Sequence, residues 1–336
     1  MTSVTTKPTV ERPVVARGRR YGVNSRYVPV LATLVLFCVM YGIGLANYEG
    51  FSDTQILLNI FIDNAHLLTV AVGMTFVILS GGIDLSVGAV LALGTVIAAS
   101  LLKADWNPVV VIVIVLAAGA LIGLAQGAII HFFEIQPFIA TLAGLFTARG
   151  LAQLISTKAI PITDTFWTTD ATERIHFGGF RLSPSAVVAI VIAIIAALAL
   201  AYTRFGRNVY AIGGNQQSAA LMGLPVGRTR ILVYTLSGLC AALGGILYSF
   251  ETPTGHSLTA QGMELDAIAA VVIGGTLLTG GSGFLAGTVL GVLVLGLIQT
   301  IITFQGTLSS WWTRIVIGAL LFAFILLQRI ATRRDP

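Results

Sequence analysis

The sequence predicts an all-α, polytopic membrane protein built as a helical bundle with about ten transmembrane helices. Hydrophobic residues make up 56% of the 336 residues and charged residues only 10%, whereas a soluble domain carries about 25% charged residues. The apolar runs are continuous, as in VVVIVIVLAAGALIGLAQGAII at 109–130, and lack the alternation of membrane β-strands. The 37 glycines fit closely packed transmembrane helices.

Ten apolar segments are long enough, or nearly so, to be spans. The first covers 19 residues, about 28 Å of helix, which approaches the thickness of the hydrocarbon core. The predicted spans are 28–46, 56–79, 84–102, 108–131, 137–156, 184–203, 230–250, 264–279, 284–304 and 311–328.

Basic residues predict the orientation of these spans. Residues 1–27 form a basic tail, 28–328 a single transmembrane domain and 329–336 a second tail. With both termini in the cytoplasm, the inner segments hold most of the cations, as the positive-inside rule requires. The loop at 157–183 then faces outside and is a candidate docking surface. The inner cations are Lys7, Arg12, Arg17, Arg19, Arg20, Arg26, Arg204, Arg207, Arg228, Arg230, Arg329, Arg333 and Arg334; the outer ones are Lys103, Lys158, Arg174 and Arg181.

A weak internal two-fold repeat appears when the chain is shifted by 199 residues. LSGGIDLSVGAVLA at 79–92 then aligns with LTGGSGFLAGTVLG at 278–291, with six identities in 14 positions. Both stretches follow a span that runs from outside to inside. Equal orientation indicates a parallel repeat about an axis along the membrane normal.

Polar residues at the predicted outer end of both halves are candidates for a substrate path. Asn59, Asp63 and His66 share one helix face. The shift of 199 residues aligns Asp63, Asn64 and His66 with the region of Glu264 and Asp266 in the second half. The same residues are also consistent with a solvated first helical turn near the membrane surface. The candidate path residues are Asn59, Asp63, Asn64, His66, Asp84, Glu264 and Asp266.

Asp84 has two interpretations. It precedes the third span, so its carboxylate could cap that helix. It could also lie at membrane depth in a broken helix that lines a cavity. The repeat aligns Asp84 with Gly283, so both halves share the glycines of this motif but only one carries the acid.

Known catalytic and metal-binding patterns are absent from the sequence. It contains no G-x-x-x-x-G-K-[ST], H-E-x-x-H or G-x-S-x-G motif. His131 and Glu134 lack a third ligand, so we predict no metal site. The net charge of +5 lies in inner loops and tails and gives no reason to expect nucleic acid binding. The chain is therefore predicted not to be an enzyme and to bind no cofactor.

The inner loop at 204–229 predicts a short, capped cytoplasmic helix. Asn215 follows a glycine pair and can cap the segment QQSAALM, and Gly223 can end it in the left-handed conformation, with Pro225 after it. Arginines lie at both ends of the loop. This helix is suited to docking a partner, although an ordinary basic loop that fixes topology would look similar.

At this loop the sequence resembles the cytoplasmic coupling loop of sugar permeases in the ribose-type ABC importer family. The stretches GMTFVILSGGIDLSVGAVLALG (73–94), ELDAIAAVVIGGTLLTGGSG (264–283) and GTLSSWWTRIVIGALLF (306–322) extend the resemblance. It covers about residues 30–328 and is closest to the permease subunits of galactofuranose importers. The coupling element that the resemblance implies comprises Gly213, Gly214, Asn215, Gln216, Ala219, Leu221 and Gly223.

The resemblance implies a permease subunit in the bacterial inner membrane that forms half of a path for a monosaccharide. Its implied partners are a cytoplasmic ATPase that binds ATP and Mg, a second, non-identical permease subunit and an extracytoplasmic sugar-binding protein. Gln216 stands where many ABC permeases have Glu, which removes one possible ion pair with the ATPase. The competing hypothesis is an ion-coupled secondary sugar transporter that needs no ATPase, although this chain offers few acids deep in a span.

Overall fold

A computed structural model describes residues 28–177, 180–306 and 311–332. The predicted tail 1–27 and the last four residues of the predicted tail 329–336 lie outside this range. The helices are α1 Val28–Asn47, α2 Thr54–Asp63, α3 Ala65–Leu79, α4 Val87–Lys103, α5 Pro108–Phe132, α6 Pro137–Ile155, α7 Pro184–Tyr202, α8 Arg204–Gly214, α9 Gln216–Leu221, α10 Val226–Glu251, α11 Met263–Ile273, α12 Leu285–Gln305 and α13 Trp311–Thr332. The strands are β1 Ile160–Pro161, β2 Ile175–Phe177, β3 Phe180–Leu182 and β4 Thr254–Gly255.

The predicted membrane helical bundle is confirmed. Seven helices in the described part of the chain are long and apolar enough to cross a membrane. They are α1, α5, α6, α7, α10, α12 and α13, and they match seven of the ten predicted spans. Helix α13 continues to Thr332, four residues past its predicted end.

The second predicted span is bent rather than straight. It consists of α2 and α3, which meet at an angle of 59° around Asn64. The Asn64 side-chain amide donates to the Ile60 carbonyl oxygen at 2.9 Å. Such side-chain bonds compete with the helical backbone pattern. Taken together, α2 and α3 are long and apolar enough to form one broken span, which matches the predicted span 56–79. The composition of this segment carries no signal for the bend itself.

The third and eighth predicted spans are shorter than expected. Helix α4 begins at Val87 rather than at 84, because residues 80–86 form a turn. Helix α11 ends at Ile273 rather than at 279, where Gly274 follows and Gly275 has φ +93°. Its 11 residues span about 16 Å, roughly half of a hydrocarbon core.

Two non-helical segments, which follow α3 and α11 and which we call the helix breaks, coincide with the aligned stretches of the internal repeat. Gly81 and Gly280, which the repeat pairs, have φ values of +82° and +86°. Both positions therefore need glycine for the same backbone reason. This shared conformation supports the repeat over the stretch where the sequence identity was found.

Helix α10 forms the centre of the bundle, where it packs against α3, α4 and α5. Glycines make this approach close. A Cβ atom added at Gly123 of α5 would lie 2.9 Å from the Tyr234 carbonyl carbon and 3.0 Å from the Thr235 Cα. Small residues are how transmembrane helices gain contact area in lipid. Helix α12 packs against α1, α3 and α11 and completes the second half.

The loop between α6 and α7 is folded and includes short strands. β1 pairs antiparallel with β4, and β2 with β3. Trp167 is fully buried and donates its indole N–H to the Ser249 hydroxyl at 2.9 Å, which fixes the loop on the end of α10. The Gln55 side chain of α2 exchanges two hydrogen bonds with the Arg181 backbone, at 2.8 and 3.0 Å.

Candidate substrate cavity and coupling element

A polar cavity of about 580 Å³ opens at the end of the bundle that the charge pattern predicts to face outside; we call it the outer cavity. Helices α2, α3, α10, α11 and α12 contribute to it. The bend between α2 and α3 faces the cavity. Its lining residues are Ile56, Asn59, Asp63, Asn64, His66, Leu67, Tyr248, Met263, Asp266, Gly296, Gln299, Thr300, Thr303 and Phe304.

Five of the seven predicted path residues line this cavity: Asn59, Asp63, Asn64, His66 and Asp266. Residues from the first and second halves of the chain therefore meet in one place. Asn64 can lie against α12 because Gly296 there has no side chain; a Cβ atom at Gly296 would lie 3.1 Å from the Asn64 Cγ.

The His66 ring is held in place on one side of the cavity. It packs edge-on against Tyr248, with the ring centroids 5.2 Å apart. Its Nδ1 lies 3.8 Å from Glu251 Oε2, which brings a carboxylate to the cavity rim. The arrangement combines an aromatic surface with groups that can donate and accept hydrogen bonds.

Several cavity residues were not predicted from the sequence. Gln299, Thr300 and Thr303 lie on α12, and Tyr248 lies near the end of α10. A signal for the first three exists, because they recur at helical spacing inside an otherwise apolar segment. Tyr248 and Phe304 carry no such signal, because single aromatic residues are common in spans.

Glu264 does not line the outer cavity. Its Oε2 lies beside Gly88 of α4, on the other side of α11 from Asp266. Arg149 of α6 also lies near this region, where its guanidinium donates to the Ser257 and Thr259 carbonyl oxygens at 2.6 and 2.8 Å. Arg149 thereby anchors the segment before α11 to the rest of the bundle.

Asp84 is fully buried and does not line the outer cavity. Its carboxylate instead accepts hydrogen bonds that stabilise the non-helical segment between α3 and α4. Its Oδ1 accepts from the Ser86 backbone N–H at 2.9 Å and from the Ser86 hydroxyl at 2.6 Å. Its Oδ2 accepts from the Ser237 hydroxyl of α10 at 2.7 Å. The residue at the N-cap position of α4 is Ser86, not Asp84. Asp84 therefore stabilises the turn before the helix and ties it to α10.

The short, capped helix predicted in the loop 204–229 is present as α9. The Asn215 side chain accepts from the Ser218 N–H at 2.9 Å, and Gly223 has φ +77°, as expected for a capped helix ended by glycine. Leu221 is 90% and Met222 69% exposed, whereas Ala219 is fully buried. One face of α9 thus rests on the protein, whereas Leu221 and the following Met222 are left exposed.

Gln216, the departure from the common coupling motif, has a partner within the chain. Its Oε1 accepts a hydrogen bond from the Arg230 guanidinium of α10. The neutral side chain thereby ties the first residue of α9 to the start of α10. This contact fixes the orientation of α9 relative to the transmembrane core.

The outer cavity and α9 lie at opposite ends of the same two helices. Helix α10 begins at Val226, three residues after Gly223, and reaches the cavity at Tyr248. Helix α12 begins at Leu285 and reaches it at Gly296, 11 residues later, or about 16 Å along the axis.

Comparisons with known proteins identify this arrangement. A family model for permease components of branched-chain amino acid transport systems matches residues 56–325. The chain is 47% identical to the inner membrane ABC transporter permease protein YjfF of Escherichia coli, over 90% of this chain and 92% of that protein. It is 38% identical to the fructose import permease protein FruG of Bifidobacterium longum, over 94% and 95%.

A third relative is the ribose import permease protein RbsC of Bacillus subtilis, 36% identical over 92% of this chain and 94% of that protein. No solved structure matches the chain. The multi-pass bundle, the exposed helix α9 and these full-length similarities agree with one another. The chain therefore belongs to the family of ABC importer permeases, as a non-catalytic membrane subunit of the ribose-importer type.

Proposed function

We propose that this chain forms half of the translocation path for a monosaccharide, galactofuranose or a related sugar, in a binding-protein-dependent ABC importer. The outer cavity carries this proposal. Its volume of about 580 Å³ falls within the range of small-molecule sites, about 300–1,000 Å³. The resemblance to galactofuranose permeases noted in the sequence, and the relatives named for ribose and fructose import, support a sugar as the substrate.

The chemistry of the cavity suits a neutral polyhydroxyl compound. Amide and hydroxyl groups from Asn59, Gln299 and Thr303 can donate and accept hydrogen bonds to sugar hydroxyls. Phe304 and Tyr248 supply aromatic surface for the apolar face of a sugar ring. The cavity is only partly enclosed, which is compatible with passage of a sugar through it.

The partners follow from the two ends of the molecule. We propose that the exposed side of α9, with Leu221 and Met222, docks on a cytoplasmic ATPase that binds ATP and Mg. A sugar-binding protein delivers the substrate at the opposite end. The path is completed by a second permease subunit, which we propose to be a similar but non-identical chain.

We propose an alternating-access mechanism. ATP binding brings the two ATPase halves together and displaces α9 on each permease. The permease pair then opens outward to receive sugar from the binding protein, and hydrolysis resets it. The chain itself contributes hydrogen-bonding groups for the sugar, a path wide enough for the sugar to pass, and the connection between α9 and the transmembrane helices, but no covalent chemistry.

The source of energy separates this proposal from an ion-coupled carrier. Uptake of labelled galactofuranose, ribose and fructose is measured in cells with the chain and its partner genes. We expect uptake of one sugar to stop on ATP depletion and to persist with an uncoupler when ATP is maintained. Uptake that stops with the uncoupler and continues without ATP would support the carrier instead.

A further inference from the structure

Five glycines from three separate parts of the chain meet at the cytoplasmic end of the bundle; we call them the glycine junction. Gly81 lies in the break after α3, Gly280 and Gly281 lie in the break after α11, and Gly213 and Gly214 end α8. A Cβ atom at Gly280 would lie 2.8 Å from the Gly81 nitrogen and 3.1 Å from the Gly213 Cα. The three backbones thus touch without intervening side chains.

Hydrogen bonds hold the junction together. The Gly281 N–H donates to the Leu79 carbonyl oxygen at 2.9 Å, which joins the breaks of the two repeat halves directly. The Tyr210 hydroxyl of α8 donates to the Gly283 carbonyl oxygen at 2.9 Å. Burial raises the pKa of Tyr210, so its hydroxyl keeps the proton that this bond requires.

Gly213 occupies the most crowded position of the junction. A Cβ atom there would overlap the Leu79 carbonyl oxygen and would lie 2.6 Å from the Gly281 nitrogen. These are the two atoms of the hydrogen bond between the breaks. Its neighbour Gly214 differs, because a Cβ atom at Gly214 would meet no atom within 4 Å.

The junction connects the coupling helix to both halves of the transmembrane domain. Asn215, the N-cap of α9, follows Gly214 in the chain, so α9 cannot shift without moving the end of α8. The break after α3 leads into α4, and the break after α11 leads into α12, which reaches the outer cavity. Backbone contact transmits displacement with little loss because no flexible side chain lies between the segments.

We propose that Gly213 is a positioning residue that transmits displacement of α9 to both repeat breaks, and through α12 to the outer cavity. This inference rests on the proposed function, since it assigns a role within ATP-coupled transport. A side chain at position 213 separates α8 from the two breaks. The result is a permease that still binds the ATPase but no longer relays its movement.

The test compares Gly213→Ala with Gly214→Ala and with Gly150→Ala, whose methyl group also meets no atom within 4 Å. Each variant is reconstituted in proteoliposomes with the ATPase, the second permease and the sugar-binding protein. The measured quantities are basal ATP hydrolysis, its stimulation by sugar-loaded binding protein, and sugar uptake per ATP. We expect Gly213→Ala to lower stimulation and uptake per ATP at least tenfold, with the ATPase still bound, and Gly150→Ala to match the wild type.

Gly214→Ala is expected to lose less stimulation and less uptake per ATP than Gly213→Ala, because its methyl group meets no atom within 4 Å. Equal coupling in Gly213→Ala and wild type overturns the inference, while absence of coupled uptake in wild type overturns the proposed function instead. If Gly213→Ala fails to insert in the membrane, Tyr210→Phe tests the role of the junction instead, because it removes only the hydrogen bond from the Tyr210 hydroxyl to the Gly283 carbonyl oxygen. A two- to fivefold loss of coupling in Tyr210→Phe supports the junction, and unchanged coupling contradicts it.

Discussion

Replacement of Asp84 separates a structural role for this carboxylate from a role of its charge in transport. Asp84 accepts three hydrogen bonds, two from Ser86 and one from Ser237. Alanine removes the acceptor for all three. The Ser86 hydroxyl can turn to the Gln126 Oε1, 3.3 Å away, but the Ser86 N–H and the Ser237 hydroxyl lose their partner.

A buried donor without an acceptor costs about 1–3 kcal/mol of folding free energy. Because the Ser86 N–H and the Ser237 hydroxyl both lose their acceptor, Asp84→Ala is expected to lower the free energy of unfolding by about 2–6 kcal/mol. Asparagine retains an oxygen for both Ser86 bonds, and its amide N–H can donate to the Ser237 hydroxyl. The weaker neutral bonds are offset by the smaller cost of burying an uncharged group. Asp84→Asn is therefore expected to stay within about 2 kcal/mol of wild type.

The assay combines thermal unfolding of the purified permease in detergent with sugar uptake by the complete transporter. We expect Asp84→Asn to resemble wild type in both, and Asp84→Ala to unfold at a clearly lower temperature. Ser237→Ala is the matched variant, because it removes one of the three bonds. Equal instability of the Asn and Ala variants would refute the hydrogen-bond account, and a stable Asp84→Asn protein without uptake would show that the charge takes part in transport.

Three further predictions concern the coupling element and the outer cavity. Asn215→Ala removes the cap of α9 at a cost of about 0.5–2 kcal/mol and should weaken ATPase binding in pull-down, whereas Asn215→Asp, which caps equally well, should not. Leu221→Asp replaces an apolar side chain that is 90% exposed with a charged one, and should lower co-purification of the ATPase at least tenfold. Leu221→Met is the control, and unchanged recovery of the ATPase with Leu221→Asp would show that this side of α9 is not the docking surface. Gln299→Met keeps the size of the side chain but removes its hydrogen-bonding groups. The sugar concentration for half-maximal uptake should therefore rise about five- to tenfold, as expected for loss of one hydrogen bond of about 1 kcal/mol. An unchanged concentration would show that Gln299 does not contact the sugar.

Helix α9 was predictable from sequence because its signals are local. Asn215 at the start and Gly223 at the end of α9 act through the backbone of their own segment, and both took the expected conformation. The continuous apolar runs likewise predicted the spans. Their composition cannot show that α2 and α3 meet at 59°, because the bend depends on Asn64 and on packing against α12.

Asp84 shows the limit of sequence reasoning at a buried site. Its position before the third predicted span suggested a local role at the start of α4, and the two hydrogen bonds with Ser86 agree with that. Its third partner, Ser237, is 153 residues away and could not be inferred. The contacts of Gly213 could not be inferred either. A glycine pair in a loop indicates only a turn, and the sequence does not show that Leu79 and Gly281, from two distant segments, lie against Gly213.

The most direct test of the account is sugar-stimulated ATP hydrolysis by the reconstituted transporter. The chain, its ATPase and the second permease are placed in proteoliposomes, and the rate of ATP hydrolysis is compared with empty and with sugar-loaded binding protein outside. We expect the loaded protein to raise hydrolysis several-fold together with uptake of the same sugar into the lumen. Uptake without ATP, or hydrolysis indifferent to the loaded binding protein, would contradict the assignment of this chain as a sugar permease coupled to an ATPase.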